Sequence, residues 1–130
     1  AAQSGVDVRI VTPRVFDHWY TKYATHSYYE SLLAEGVRIF EYTPGFMHAK
    51  MILSDGSNAV VGSINLDYRS LFLHYECGVW ICGMPAVKEI EQDMRKTFDQ
   101  SYEITLEEWK RRPWHHKVRE MIMRIFAPII

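Results

Sequence analysis

Between two apolar runs, residues 47–53 and 59–64, the chain reads Ser54-Asp55-Gly56-Ser57-Asn58, and no other stretch restricts the fold so sharply. Asp-Gly tolerates the left-handed backbone that a tight hairpin turn demands, so the two runs are expected to pair as antiparallel strands. Side chains alternate across a strand, which puts His48 and Lys50 on one face of the first run and gives Ser63 and Asn65 a shared parity on the second. Such a hairpin gathers an imidazole, an ammonium, a hydroxyl and an amide near its open end. Lysine holds a fixed positive charge suited to a phosphate oxygen, and histidine serves as nucleophile or proton donor near neutral pH. The expected use is phosphoryl chemistry.

The spacing His-x-Lys-x4-Asp-x6-Gly-Ser-x-Asn, filled here by His48, Lys50, Asp55, Gly62, Ser63 and Asn65, resembles the signature of the phospholipase D superfamily. Three further stretches, Tyr42-Thr-Pro-Gly-Phe-Met-His48, Asn65-Leu-Asp-Tyr-Arg-Ser70 and Leu106-Glu-Glu-Trp-Lys-Arg-Arg-Pro-Trp114, are similar to the C-terminal half of bacterial cardiolipin synthases, so the likeness covers nearly the whole chain. His74 departs from it, standing where many relatives have asparagine.

The resemblance implies a fold in which two such halves pack around one shared site, this chain supplying one of them. It implies His48, Lys50 and Asp55 as the catalytic set, with Ser63, Asn65 and Arg69 as substrate-binding residues. It also implies that Glu76 bonds the imidazole of the nucleophile and orients it toward phosphorus. The implied reaction condenses two phosphatidylglycerols to cardiolipin and glycerol through a phosphohistidine, without cofactor or metal, at the cytoplasmic face of a bacterial cell membrane. The second histidine comes from the N-terminal half of the same enzyme or from a second copy. Two other uses of the motif are a homodimeric phosphodiesterase or nuclease and a non-catalytic membrane-binding half-domain.

Residue chemistry refines these roles. Asp55 has an odd offset from His48 and precedes glycine, which places it at the turn, where it fixes the hairpin rather than touching phosphate. Asp67, Arg69 and Ser70 begin a helical turn, where Arg69 either holds a second phosphate or pairs with Asp67. A metal site built from His48, Asp55, His74 and Glu76 is disfavoured, because Lys50 would repel the cation and the spacing matches no metal motif. His18 and His26 read as surface or packing residues, and Phe46 and Met47 as lipid-channel or core residues.

Composition narrows the class further. The 130 residues, 48% of them hydrophobic, are one domain's worth with enough apolar material for a core. A formal net charge of -1 provides no global pull toward nucleic acid, so no nucleic-acid partner is expected. Cys77 and Cys82, five apart along a strand, point to opposite faces and are not expected to bridge, which fits a reducing compartment. No apolar run is long enough to span a bilayer. Residues 1–5 read as the last turn of a helix that begins upstream, so a strand and helix that precede this stretch are expected to be missing.

The expected architecture is α/β, a phospholipase D-like mixed β-sheet flanked by helices, forming a single half-domain over residues 1–104. Strands are expected over 6–12, 37–42 and 76–82 besides the hairpin, a helix over 19–33 stopped by Gly36, and another from Pro85 toward Ser101. Residues 105–130 are expected to form a basic amphipathic tail. Within 114–126, Trp114, Val118, Met121, Ile122, Ile125 and Phe126 mark one helical face, with His115, His116, Lys117, Arg119 and Arg124 largely off it. That apolar stripe serves either to anchor the tail at a membrane surface or to pack it on protein.

Overall fold

The computed structural model describes residues 1–128. In chain order its strands are β1 (Arg9–Pro13), β2 (Arg38–Tyr42), β3 (Met51–Ser54), β4 (Asn58–Gly62), β5 (Gly78–Cys82) and β6 (Ser101–Ile104). Its helices are α1 (Trp19–His26), α2 (Tyr29–Ala34), α3 (Pro85–Asp99), α4 (Leu106–Lys110) and α5 (Trp114–Phe126). The α/β class expected from the sequence holds, but the strands form two sheets of three rather than one mixed sheet. In the first, β1 runs parallel to β2 and β6 antiparallel to it; in the second, β3, β4 and β5 are antiparallel neighbours.

The separation has a local cause. Residues 43–50 leave the ladder, Pro44 having no N–H to contribute to one. The open edge of β2 is taken by β6, a strand that the sequence analysis does not predict. A bidentate pair between Arg38 and Glu103, at 2.7 and 3.0 Å, crosses this junction. Pro13, expected to end the first strand, is instead its last paired residue; β1 is a sheet edge, where a missing donor is tolerated.

The long helix expected over 19–33 breaks at Ser27 and Tyr28. Ser27 Oγ donates to the Ala24 carbonyl at 2.6 Å, and the next N–H, that of Tyr28, bonds the Thr25 carbonyl at 3.2 Å, so the turn tightens. Gly36 ends α2 as expected. At φ 84° it closes a Schellman cap, with the Val37 N–H on the Leu32 carbonyl at 3.0 Å and its own on Leu33 at 3.1 Å.

One face of the first sheet packs Val37, Ile39 and Ile104 against Tyr29 and Trp109, with Ile39 fully buried. Glu41 continues this face, and its carboxylate lies 3.1 Å from Nε2 of buried His26, which Phe16, Tyr29 and Trp109 surround. His26 is thus a packing residue. On the other side Phe40 meets Phe98 of α3, a helix that also contacts β3, β4 and β5 and so joins the two sheets.

The tail packs on the same domain, α4 against α2 and α5 against α1. Its orientation keeps the apolar stripe of α5 off the domain. Glu120 is buried and takes a bidentate bond from Arg112, at 2.6 and 3.0 Å, while the Arg112 guanidinium stacks on the Trp109 ring. Lys117 approaches Glu30, Arg119 donates to the Tyr23 hydroxyl and Arg124 to the Ser27 carbonyl. The side of α5 that holds Glu120 therefore faces the domain, with Lys117, Arg119 and Arg124 on its flanks, and the apolar stripe, Trp114 and Ile125 included, faces outward. Removing Arg112 would leave the Glu120 carboxylate buried without a partner. Arg112→Ala is expected to cost about 3 kcal/mol of stability, measured by urea unfolding.

Candidate active site

The hairpin turn forms as its sequence dictates. Asp55 and Gly56 both take left-handed φ, 51° and 60°, and the Ser57 N–H closes the turn on the Ser54 carbonyl at 3.2 Å. Asp55 is exposed there, its carboxylate accepting from Ser54 Oγ at 3.2 Å. Lys50 lies five residues back, roughly 16 Å along an extended chain, so the structure does not bring Asp55 to the other signature residues.

At the open end, His48 and Lys50 lie just before β3 rather than within it. The ladder nevertheless reaches Lys50, whose carbonyl accepts from the Gly62 N–H at 3.2 Å. Lys50 Nζ turns back to the His48 carbonyl at 2.9 Å. The His48 imidazole is exposed and stacks on Phe46, the centroids 5.8 Å apart and the planes 17° from parallel.

Gly62 explains its place in the signature. A Cβ built there would sit 2.2 Å from the Cys77 carbonyl oxygen and 2.6 Å from the Gly78 Cα, so only glycine lets β4 lie this close to β5. Gly78 stands opposite in the register, with Ile64 packed over it. Past this glycine pair the chain delivers Ser63 onto the start of β5. The Ser63 N–H bonds the Cys77 carbonyl at 2.9 Å, its Oγ accepts from the Cys77 N–H at 3.0 Å, and its hydroxyl donates to the Glu76 carboxylate.

Glu76 also takes a hydrogen bond from Ser70. Ser70 is buried, with its N–H on Asp67 Oδ1 at 2.7 Å and its Oγ accepting from Asn65 Nδ2 at 3.4 Å. A chain of contacts thus runs from Asn65 through Ser70 and Glu76 to Ser63. Ser70 enters the cluster because residues 69–73 form a π-helical turn, closed by the His74 N–H on the Arg69 carbonyl at 2.7 Å. Sequence reasoning valued Ser70 only for its N–H; a hydroxyl seven positions from Ser63 in no repeating pattern offered no signal for more. Arg69 Nη2 approaches His74 Nε2 at 3.4 Å, which places a second positive group beside the cluster.

The Ser63 bond, then the Ser70 bond, hold the Glu76 carboxyl below the usual carboxylate range, with smaller help from His74 and Lys50. The carboxylate is the centre of this arrangement, and the single Ser63 hydroxyl proton serves it. Ser63 can donate to a phosphate only by releasing Glu76. His48, Lys50, Ser63, Asn65, Arg69 and Glu76 share this end of the hairpin sheet, whereas Asp55 lies at the other. Among the described residues, no three His, Cys, Asp or Glu side chains are grouped to hold a metal ion.

The family described as cardiolipin synthase, phospholipase D-like domain, matches residues 1–102. Over all 130 residues the chain is 38% identical to a cardiolipin synthase of Clostridium perfringens. It is 34% identical to one of Geobacillus kaustophilus and 34% to cardiolipin synthase A of Proteus mirabilis. The chain spans about a quarter of the length of these relatives, 26 to 27%. In fold it is similar to the crystal structure of a phospholipase D family member, Nuc from Salmonella typhimurium, with a TM-score of 0.64 at 21% identity, covering 78% of this chain and 66% of that one.

A lowered carboxyl pKa contributes stability above the unfolded-state value, and that contribution is lost as pH falls through the folded value. Ser63→Ala removes the largest cause of the lowering. The Glu76 titration, followed by carboxyl carbon NMR, is expected to move up toward the ordinary range, and the acid limb of the stability profile to move up with it.

Proposed function

Because the chain belongs to the phospholipase D-like domain family of cardiolipin synthases, we propose that it supplies one histidine half of a phosphatidyltransferase active site. The observation that carries the reading is the exposed His48 imidazole, with the Lys50 ammonium held on the His48 carbonyl, at the end of the sheet where Glu76, Ser63, Ser70 and Asn65 form one hydrogen-bonded cluster.

In the first step His48, or its counterpart in the other half, attacks the phosphorus of a phosphatidylglycerol. The bond to glycerol breaks as the partner histidine protonates the departing oxygen, leaving a phosphohistidine. In the second step the partner histidine takes the proton from a hydroxyl of another phosphatidylglycerol, whose oxygen displaces the protein and yields cardiolipin. Lys50 and the Asn65 amide stabilise negative charge on the non-bridging oxygens. Arg69, next to His74, is suited to the phosphate of the second lipid. Glu76 offers an acceptor beside Lys50 for the positive charge that develops on an attacking imidazole, and the two serines keep it ionised. The reaction takes place at the cytoplasmic face of a bacterial cell membrane, where both lipids are held.

The mechanism needs two histidines from two signatures, and this stretch carries one. The other half of a longer chain completes the site. In the full-length enzyme, His48→Asn is expected to lower cardiolipin formation from phosphatidylglycerol at least about a thousandfold, read by mass spectrometry of the lipid products. The 130-residue chain by itself is expected to give no product. Unchanged transfer by the His48→Asn enzyme would remove the catalytic assignment, and turnover by the monomeric chain would remove the two-half account. DNA cleavage without lipid turnover would favour the nuclease reading.

A further inference from the structure

Helix α5 lies on its domain the opposite way round from an ordinary surface helix. Such a helix hides its apolar side and shows its charges to water. Here Glu120 is only 6% exposed, while Trp114, Met121 and Ile125 are 75%, 65% and 71% exposed, with Val118 and Ile122 completing the same outward stripe. The reversal has a structural origin. Arg112 fastens Glu120 under the helix, and Arg119 and Arg124 reach down to Tyr23 and Ser27 of the α1 segment. Trp19, at the start of α1, is 69% exposed and lines a shallow groove with Ile122 and Met123, so the apolar strip extends beyond α5.

Charge points to the occupant. Between residues 110 and 128 the chain has six cations, Lys110, Arg111, Arg112, Lys117, Arg119 and Arg124, against one carboxylate, Glu120, although the whole chain has a formal net charge of -1. Arg112 and Lys117 face carboxylates, but the partners of Arg119 and Arg124, the Tyr23 hydroxyl and ring and the Ser27 carbonyl and Tyr28 ring, are neutral and leave the net positive charge of this segment in place. Among the described residues no helix is long and apolar enough to cross a membrane. A short helix with an outward apolar stripe, a tryptophan at its start and a cationic flank suits a position in the headgroup layer, its axis parallel to the bilayer.

We propose that the outward face of α5, extended by Trp19, docks this domain onto a bilayer of anionic phospholipid. The proposal rests on the preceding reading only for the presence of such a bilayer. Vesicle binding is measured without turnover, so its failure leaves the transfer reading standing, and failure of the His48 test leaves this one standing.

The test is co-sedimentation of the 130-residue chain with vesicles of phosphatidylcholine, with and without phosphatidylglycerol. Binding is expected only to the vesicles containing phosphatidylglycerol, and it should weaken as salt is raised. Met121→Asp and Ile125→Asp are each expected to weaken it about tenfold, while Gln92→Asp, an equal charge change on exposed α3, leaves it intact. Circular dichroism checks the fold of each variant. Should the aspartate variants unfold, the unmodified chain provides the measurement: tryptophan quenching by brominated lipid, expected to fall when Trp114 is replaced by phenylalanine. Binding equally weakened by Gln92→Asp, or no binding to anionic vesicles, overturns the proposal. So does a dimer in lipid-free solution that Ile125→Asp dissociates, which would assign the stripe to a second copy of the chain.

Discussion

The site depends on one close approach between two backbones. Gly62 and Gly78 stand opposite each other where β4 meets β5, and any side chain at 62 would collide with the carbonyl of Cys77. Because nothing intervenes, the chain leaving β4 stays within bonding distance of β5, and Ser63 reaches both the Cys77 backbone and the Glu76 carboxylate. The rest of the polar cluster follows from that seat. Glu76 is held ionised by the serines on either side of it, and the π-helical turn after Asn65 brings Ser70 in to complete the set. A contact between glycines thus controls the electrostatics of a carboxylate several residues away.

The remainder of the molecule keeps this end of the hairpin sheet in place. Helix α3 contacts both sheets and links the hairpin to the core around Ile39, Tyr29 and Trp109. The tail enters that core through Trp109, and Arg112, stacked on the Trp109 ring, ties α5 to it by its pair with Glu120 beneath the helix. This leaves an apolar stripe at the surface of a domain for which lipid-phosphate chemistry is proposed. The same charged side chains that dock the helix thereby decide which of its faces meets the surroundings.

Much of the fold was legible from local chemistry. The Asp-Gly turn, the Gly36 cap and Pro85 at the head of α3 each act over a few residues, and each is found where backbone rules put it. Reading failed where partners distant in sequence decide the outcome. β6 is a strand because the edge of β2 was open, and the break at Ser27 accompanies the burial of His26 against Glu41. The stripe on α5 was recognised, but its direction was not, since amphipathicity states that a helix has two faces and not which of them has a partner.

The sequence by itself determined the signature residues, the hairpin that carries them and the kinship those residues express, because turn geometry and strand alternation act between near neighbours. It also determined that Asp55 sits at the turn. Only the tertiary structure decided that Ser63 and Ser70 converge on Glu76, that Arg69 lies against His74 and that α5 faces its apolar side outward. Each of those outcomes depends on which groups the packed chain brings within hydrogen-bond or ion-pair distance. No local pattern contains that information, since such energies fall away within a few ångströms and are settled by the fold as a whole.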